Sequence, residues 1–218
     1  MNYSIDLVHL GDNCAPGIII NDILNIRKKT LFMLGMYPLN NIITYLNDNK
    51  YENIYDLQYL DIQLNNHVYH TVYNFTFNHD YLIKDSVITN YDIVKNRFDE
   101  KIENFKNTLN SKEFTVLIHF TRASKQEDID AIILFFKKYK DRFHLIIFTN
   151  NHISVNNSLY VSIIKLDNCY YQWYKKDMKD RYELYNEIYD KCIACLKNNN
   201  IKHDLPIDFK KTYYALNY

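Results

Sequence analysis

The chain predicts an α/β fold: a mainly parallel sheet with helices on both faces, Rossmann-like and three-layered, with a β-hairpin insertion. Three observations lead there. Apolar runs at 5–10, 114–120 and 144–148 show little alternation, as strands covered on both faces do. Amphipathic runs at helical spacing separate them. The succession of strand, helix and strand is the one a parallel sheet requires. With 218 residues and neither repeat nor linker, one domain spanning 1–218 is expected, long enough to bury a substantial core.

The elements follow in order. Strand 5–10 ends at Gly11, and Pro16 suits the first turn of a helix whose apolar residues run over 18–26. An irregular helical region covers 31–56, with Leu39, Ile42, Ile43 and Leu46 at helical spacing. Two β-rich runs, 57–64 and 67–77, flank Asn65-Asn66 and suggest a hairpin, because Asn tolerates positive φ. Val94, Phe98, Ile102, Phe105 and Leu109 mark an amphipathic helix, which leads to strand 114–120. Ser124-Lys-Gln-Glu127 matches a capping box opening a helix that carries Ile129, Ile132, Ile133 and Phe136. Strands 144–148 and 159–166 and a long helix over 178–197 complete the chain.

Composition narrows the function. Lys+Arg and Asp+Glu are both 26, so there is no strong nucleic-acid signal from bulk charge. No run approaches the ~18 apolar residues of a membrane span, and no basic n-region marks a signal peptide. A cytoplasmic protein is expected. The chain is rich in Asn, Ile, Lys and Tyr, with three Gly and three Pro. Those four abundant residues have A/T-rich codons, so the bias reports a genome of low G+C content. Gly11, Gly17 and Gly35 are expected where the backbone requires them.

In open parallel sheets, ligands bind beyond the carboxyl ends of the strands. Gly11-Asp12-Asn13-Cys14 occupies that end of the first strand, and the following helix would aim its free amides at Cys14. Such a setting favours the thiolate and holds an oxyanion. Asp12 acts the other way, raising the thiol pKa unless it faces another group. The alternative is a turn with Cys14 as a small buried filler. His79, ending the 67–77 run and followed by Asp80, is the candidate base, and a loop histidine otherwise. Arg122, Asn150 and the Asp167-Asn168-Cys169 echo follow the other strands and would converge on the same side if the strands are parallel. Arg122 would clamp an anionic substrate or sit in a surface ion pair. Cys192 and Cys195 continue a helical stripe and read as core. No metal set is spaced for binding, no cofactor is expected, and Gly-x-Ser-x-Gly elbows, P-loops and Gly-x-Gly-x-x-Gly are absent from the sequence.

Leu10-Gly11-Asp12-Asn13-Cys14, Phe77-Asn78-His79-Asp80 before the helix over 98–105, and Val116 to Arg122 carry a resemblance. Over roughly residues 5–150 the chain resembles a family of unknown function labelled papain-like cysteine peptidases, with members in bacteria and large DNA viruses. That resemblance implies Cys14 as nucleophile, His79 as base and Arg122 as a basic position after a strand. Where the family carries proline-phenylalanine-aspartate-tryptophan, this chain has Met36-Tyr37-Pro38-Leu39-Asn40. A strand running into glycine, asparagine and cysteine is also similar to capsule-polysaccharide acyltransferases and lipase-like hydrolases.

The expected function is a Cys–His acyl-transfer enzyme, hydrolase or transferase, acting on a peptide or acyl substrate. Asp12, Asn13, Asp80, Arg122 and Asn150 support Cys14 and His79 in that reading. The alternative class is a catalytically inactive, virus-encoded module that binds a host protein in the host cytoplasm. The 21 Tyr residues agree with an interface, and codon bias accounts for them equally.

Overall fold

The computed structural model describes residues 5–11, 30–33, 35–63, 66–77, 79–121, 124–149, 159–166 and 178–202. A parallel sheet of order β1-β8-β9-β10 lies at its centre, formed by β1 (Ile5–Gly11), β8 (Phe114–Phe120), β9 (Phe143–Thr149) and β10 (Val161–Lys165). Registers run from Ile5↔Phe114 to Gly11↔Phe120, through Phe120↔Phe148, to Thr149↔Lys165. The four carboxyl ends therefore stand in one row.

Successive strand residues serve opposite faces. On one face Val8, Leu10, Leu117, Leu145 and Ile147 join a cluster with α1 (Leu39–Asp48), α2 (Tyr91–Asn110) and α3 (Gln126–Lys137). On the other, Leu7, Val116, Ile118, Phe120, Ile146 and Phe148 meet Leu184, Ile188, Tyr189, Cys192 and Leu196 of α4 (Met178–Asn198). Continuous apolar strands are the consequence of this two-sided burial. Cys192 and Cys195 are both buried, as their stripe predicts.

The helices owe more to packing than to their caps. Neither α1 nor α3 has a side-chain hydrogen bond at its N-cap, a loss of about 1 kcal/mol each. Each buries at least four large apolar or aromatic side chains, worth ~1.5–3 kcal/mol apiece. Burial wins. The expected capping box is overturned: the N-cap of α3 is Lys125, and the Ser124 hydroxyl is engaged elsewhere. The helical region expected over 31–56 contracts to α1, followed by 3-10 turns at Tyr51–Tyr55 and Leu57–Tyr59.

A second sheet, antiparallel, has the order β2-β5-β4-β3, from β2 (Gly35–Met36), β3 (Leu60–Ile62), β4 (Val68–His70) and β5 (Phe75–Phe77). Asn66 and Asn74 turn its chain at φ 58° and 52°. A short ribbon of β6 (Ile83–Lys84) and β7 (Val87–Ile88) leads into α2. The second sheet is fastened beside β1. Phe32 bridges to Leu10, and the Tyr37 amide donates to the Gly11 carbonyl at 3.0 Å. Edge-to-face contacts among Phe32, Tyr37, Tyr45 and Phe75 fill the join. Tyr37, Tyr45, Tyr51 and Tyr73 are core residues, so part of the tyrosine surplus goes into packing rather than surface.

Gly11 and Gly35 are required for close approach, not for left-handed φ. A β-carbon on Gly11 would collide with the His9 imidazole and come within 3.0 Å of the Phe32 carbonyl oxygen, and one on Gly35 would lie 2.5 Å from the Tyr37 ring. Left-handed backbone is carried instead by Asn, Asp and Ser residues. Gly17 and the helix expected over 18–26 lie outside the described residues. Among the described residues, no helix is long and apolar enough to cross a membrane.

Candidate functional site

The row of strand carboxyl ends is the candidate site, because loops leaving parallel strands at that edge carry ligand contacts. Its described floor is polar and buried. His9, His119, Thr121 and Thr149 are each less than 4 % exposed.

His9 and Gly11 share one face of β1, and the His9 ring leans over the Gly11 α-carbon. His9 Nδ1 lies 3.0 Å from the Phe32 carbonyl oxygen, so Nδ1 carries the proton. Nε2 is buried without a hydrogen-bond partner among the described residues. Burial, partly opposed by the Phe32 bond, holds the His9 pKa at about 4. The ring is therefore neutral near pH 7.

His119 faces the opposite side of the sheet, paired in register with Leu10. Its Nδ1 lies 2.5 Å from the Leu10 carbonyl oxygen and its Nε2 lies 2.9 Å from Ser124 Oγ. The Thr121 hydroxyl is 3.0 Å from that same Ser124 oxygen. Strand β8, through Thr121 and Ser124, thus delivers a hydroxyl to a histidine just before α3 begins. Sequence reading missed this cluster. His119 sits one residue from the end of a strand that otherwise looks apolar, and Ser124 carries the signature of a cap.

His79 is exposed, two residues beyond the end of β5. Asp80 turns inward: its Oδ1 accepts from Lys101 Nζ at 3.3 Å, with both side chains at most 5 % exposed. Its Oδ2 is buried with no hydrogen-bond partner among the described residues. The Asp80 carboxylate thus anchors the loop to α2. Asn90 reinforces the anchor, its side-chain amide donating to the Asp80 carbonyl at 2.9 Å.

The segment around β2 links β1 to the second sheet. Gly35 pairs with Phe77, while Tyr37, two residues on, bonds to Gly11. The end of β1 is thus tied through Tyr37 to the β2–β5 pair, level with the start of β5 at Phe75. Asp12, Asn13 and Cys14, and likewise Arg122, Asn150 and 167–169, lie outside the described residues.

Comparison with protein-family models, curated proteins and solved structures finds no match. Among the described residues, no group of three or more His, Cys, Asp or Glu is gathered to hold a metal. The two described cysteines are shielded. Burial pushes the Cys192 thiol up to about 12 and raises Cys195 as well.

Proposed function

We propose that the chain is a thiol-dependent acyl-transfer enzyme, hydrolase or transferase, with Cys14 as nucleophile and His79 as general base. In this reading the parallel sheet is the middle layer of a Rossmann-like sandwich, and the 57–77 hairpin is an insertion that carries His79 to the strand edge. One observation supports it most. The Gly11–Tyr37 hydrogen bond and the Gly35–Phe77 pair tie the strand that leads to Cys14 and the strand that leads to His79 into one hydrogen-bonded unit.

The chemistry is a two-step transfer. The Cys14 thiol gives its proton to His79 as sulfur bonds to the substrate carbonyl carbon. The leaving group departs with that proton, and water or an acceptor hydroxyl then resolves the thioester. Asp12, Asn13, Arg122 and Asn150 are assigned to holding the substrate or the oxyanion, in keeping with resemblance to the papain-like cysteine peptidase family.

A second reading has its own observation. The Asp80 carboxylate is held by Lys101, which agrees with an inactive module that binds a host protein.

Alkylation separates the two. With iodoacetamide at about pH 6.5, peptide mapping of the folded protein should find Cys14 modified first of the four cysteines. His79→Ala should slow that modification. Uniformly slow alkylation, indifferent to His79→Ala, would transfer the assignment to the binding module.

A further inference from the structure

The carboxyl end of β8 holds a constellation independent of Cys14. The Leu10 carbonyl can only accept, so the proton on His119 sits on Nδ1. In the neutral ring Nε2 then offers a lone pair, and Ser124 Oγ stands 2.9 Å from it. At rest Ser124 donates its proton to Thr121 Oγ1 at 3.0 Å, and rotation about the Cβ–Oγ bond turns it to His119 Nε2. Ser124 retains partial exposure, so a substrate has access to a hydroxyl whose histidine is fully buried. Helix α3 starts two residues later.

We propose that Ser124 and His119 form a nucleophile–base pair that accepts the acyl group of an ester. The serine hydroxyl gives its proton to His119 Nε2 as Oγ bonds to the ester carbonyl carbon. The tetrahedral intermediate collapses, the bond to the leaving alkoxide breaks, and that alkoxide takes the proton from His119. An acyl ester of Ser124 remains, and water removes it by the same sequence. The Leu10 carbonyl does the work of a triad carboxylate, holding the ring in one tautomer.

A second hydroxyl–imidazole pair in the molecule provides a contrast. His144 Nε2 is also 2.9 Å from a serine oxygen, that of Ser162. Both residues sit near the amino ends of their strands, away from the ligand edge, and Asn199 Nδ2 also donates to Ser162 at 3.3 Å. Ser162 is a structural clamp.

A fluorophosphonate probe tests the assignment, since attack forms the Oγ–phosphorus bond and expels fluoride. Incubated with the full chain and mapped by mass spectrometry, it should modify Ser124 and leave Ser162 untouched. Ser124→Ala should abolish the adduct. His119→Gln should slow it on the order of 100-fold, with circular dichroism reporting the fold. Should His119→Gln unfold, Ser124→Cys replaces it: a thiol paired with His119 should react with iodoacetamide far faster than Cys192. No adduct at Ser124, an undiminished rate in folded His119→Gln, or a sluggish Ser124→Cys thiol would each overturn the pair. Cys14→Ser should leave the Ser124 adduct unchanged, and Ser124→Ala should leave Cys14 alkylation unchanged, so the two sites fail separately.

Discussion

The His9 imidazole occupies the space over the Gly11 α-carbon, so these two residues of β1 share a volume that holds only one side chain. Gly11→Ala should therefore destabilise by about 2 kcal/mol, the usual scale for overpacking. Part of the strain falls on the Phe32 carbonyl, which is backbone and cannot swing aside. In urea titrations, His9→Ala combined with Gly11→Ala should cost less than the two single changes added together. Strict additivity would show that the collision is not the cause.

Acid should find the same ring. The folded pKa of His9, about 4, lies below its ordinary 6.5. Its contribution is complete above about pH 6.5 and is lost as pH falls toward 4, amounting to roughly 3 kcal/mol. His70 and His144 are shifted downward too, chiefly by burial, and add to the slope with the same sign. The melting midpoint should drop between about pH 7 and about pH 5, and His9→Asn should shallow that drop. An equal slope in His9→Asn would remove His9 from the account.

The Asp80–Lys101 pair should behave as a buried ion pair that tolerates joint but not single replacement. Asp80→Leu alone leaves the Lys101 ammonium buried beside the Phe98 ring, 4.3 Å from its centroid. A loss of about 3 kcal/mol is expected in chemical denaturation, largely recovered by adding Lys101→Met. If the double variant is as unstable as the single one, the anchor depends on something other than charge compensation.

Gly35→Ala is expected to act locally. Its β-carbon would press on the Tyr37 ring, which packs against Phe75 and Phe77 at 5.1 and 6.1 Å. A loss of about 1–3 kcal/mol should appear in denaturation, and Tyr37→Leu should relieve part of it. An unchanged midpoint would mean that the ring has room to move.

Long periodic segments were legible in the sequence because burial alone creates their pattern. Val94, Phe98, Ile102, Phe105 and Leu109 all point inward, and so do Ile129, Ile132, Ile133 and Phe136. Strands β8 and β9 were legible for the same reason. The two-residue β2 was not, since its place comes from tertiary pairing with Phe77 rather than any local signal. Ser124 shows the limit at the site. Its local code names a cap, but the hydroxyl goes to His119, which only the folded chain brings within reach. His9 was equally hidden, because one histidine in an apolar strand gives no sign of the carbonyl that will face it.

The pairing of Ile5 with Phe114 has a consequence for the order in which the molecule assembles. Strand β1 is synthesised well before its partner β8, with roughly 100 residues between them, a separation that slows strand pairing. The antiparallel sheet and α2 lie wholly within that interval and join neighbours much closer in sequence. Those shorter separations favour their formation before β1 pairs with β8. The contact between Leu10 and His119 comes into being only with that pairing, so nascent chains stopped before residue 114 carry the histidine of β1 without the contact that orients His119.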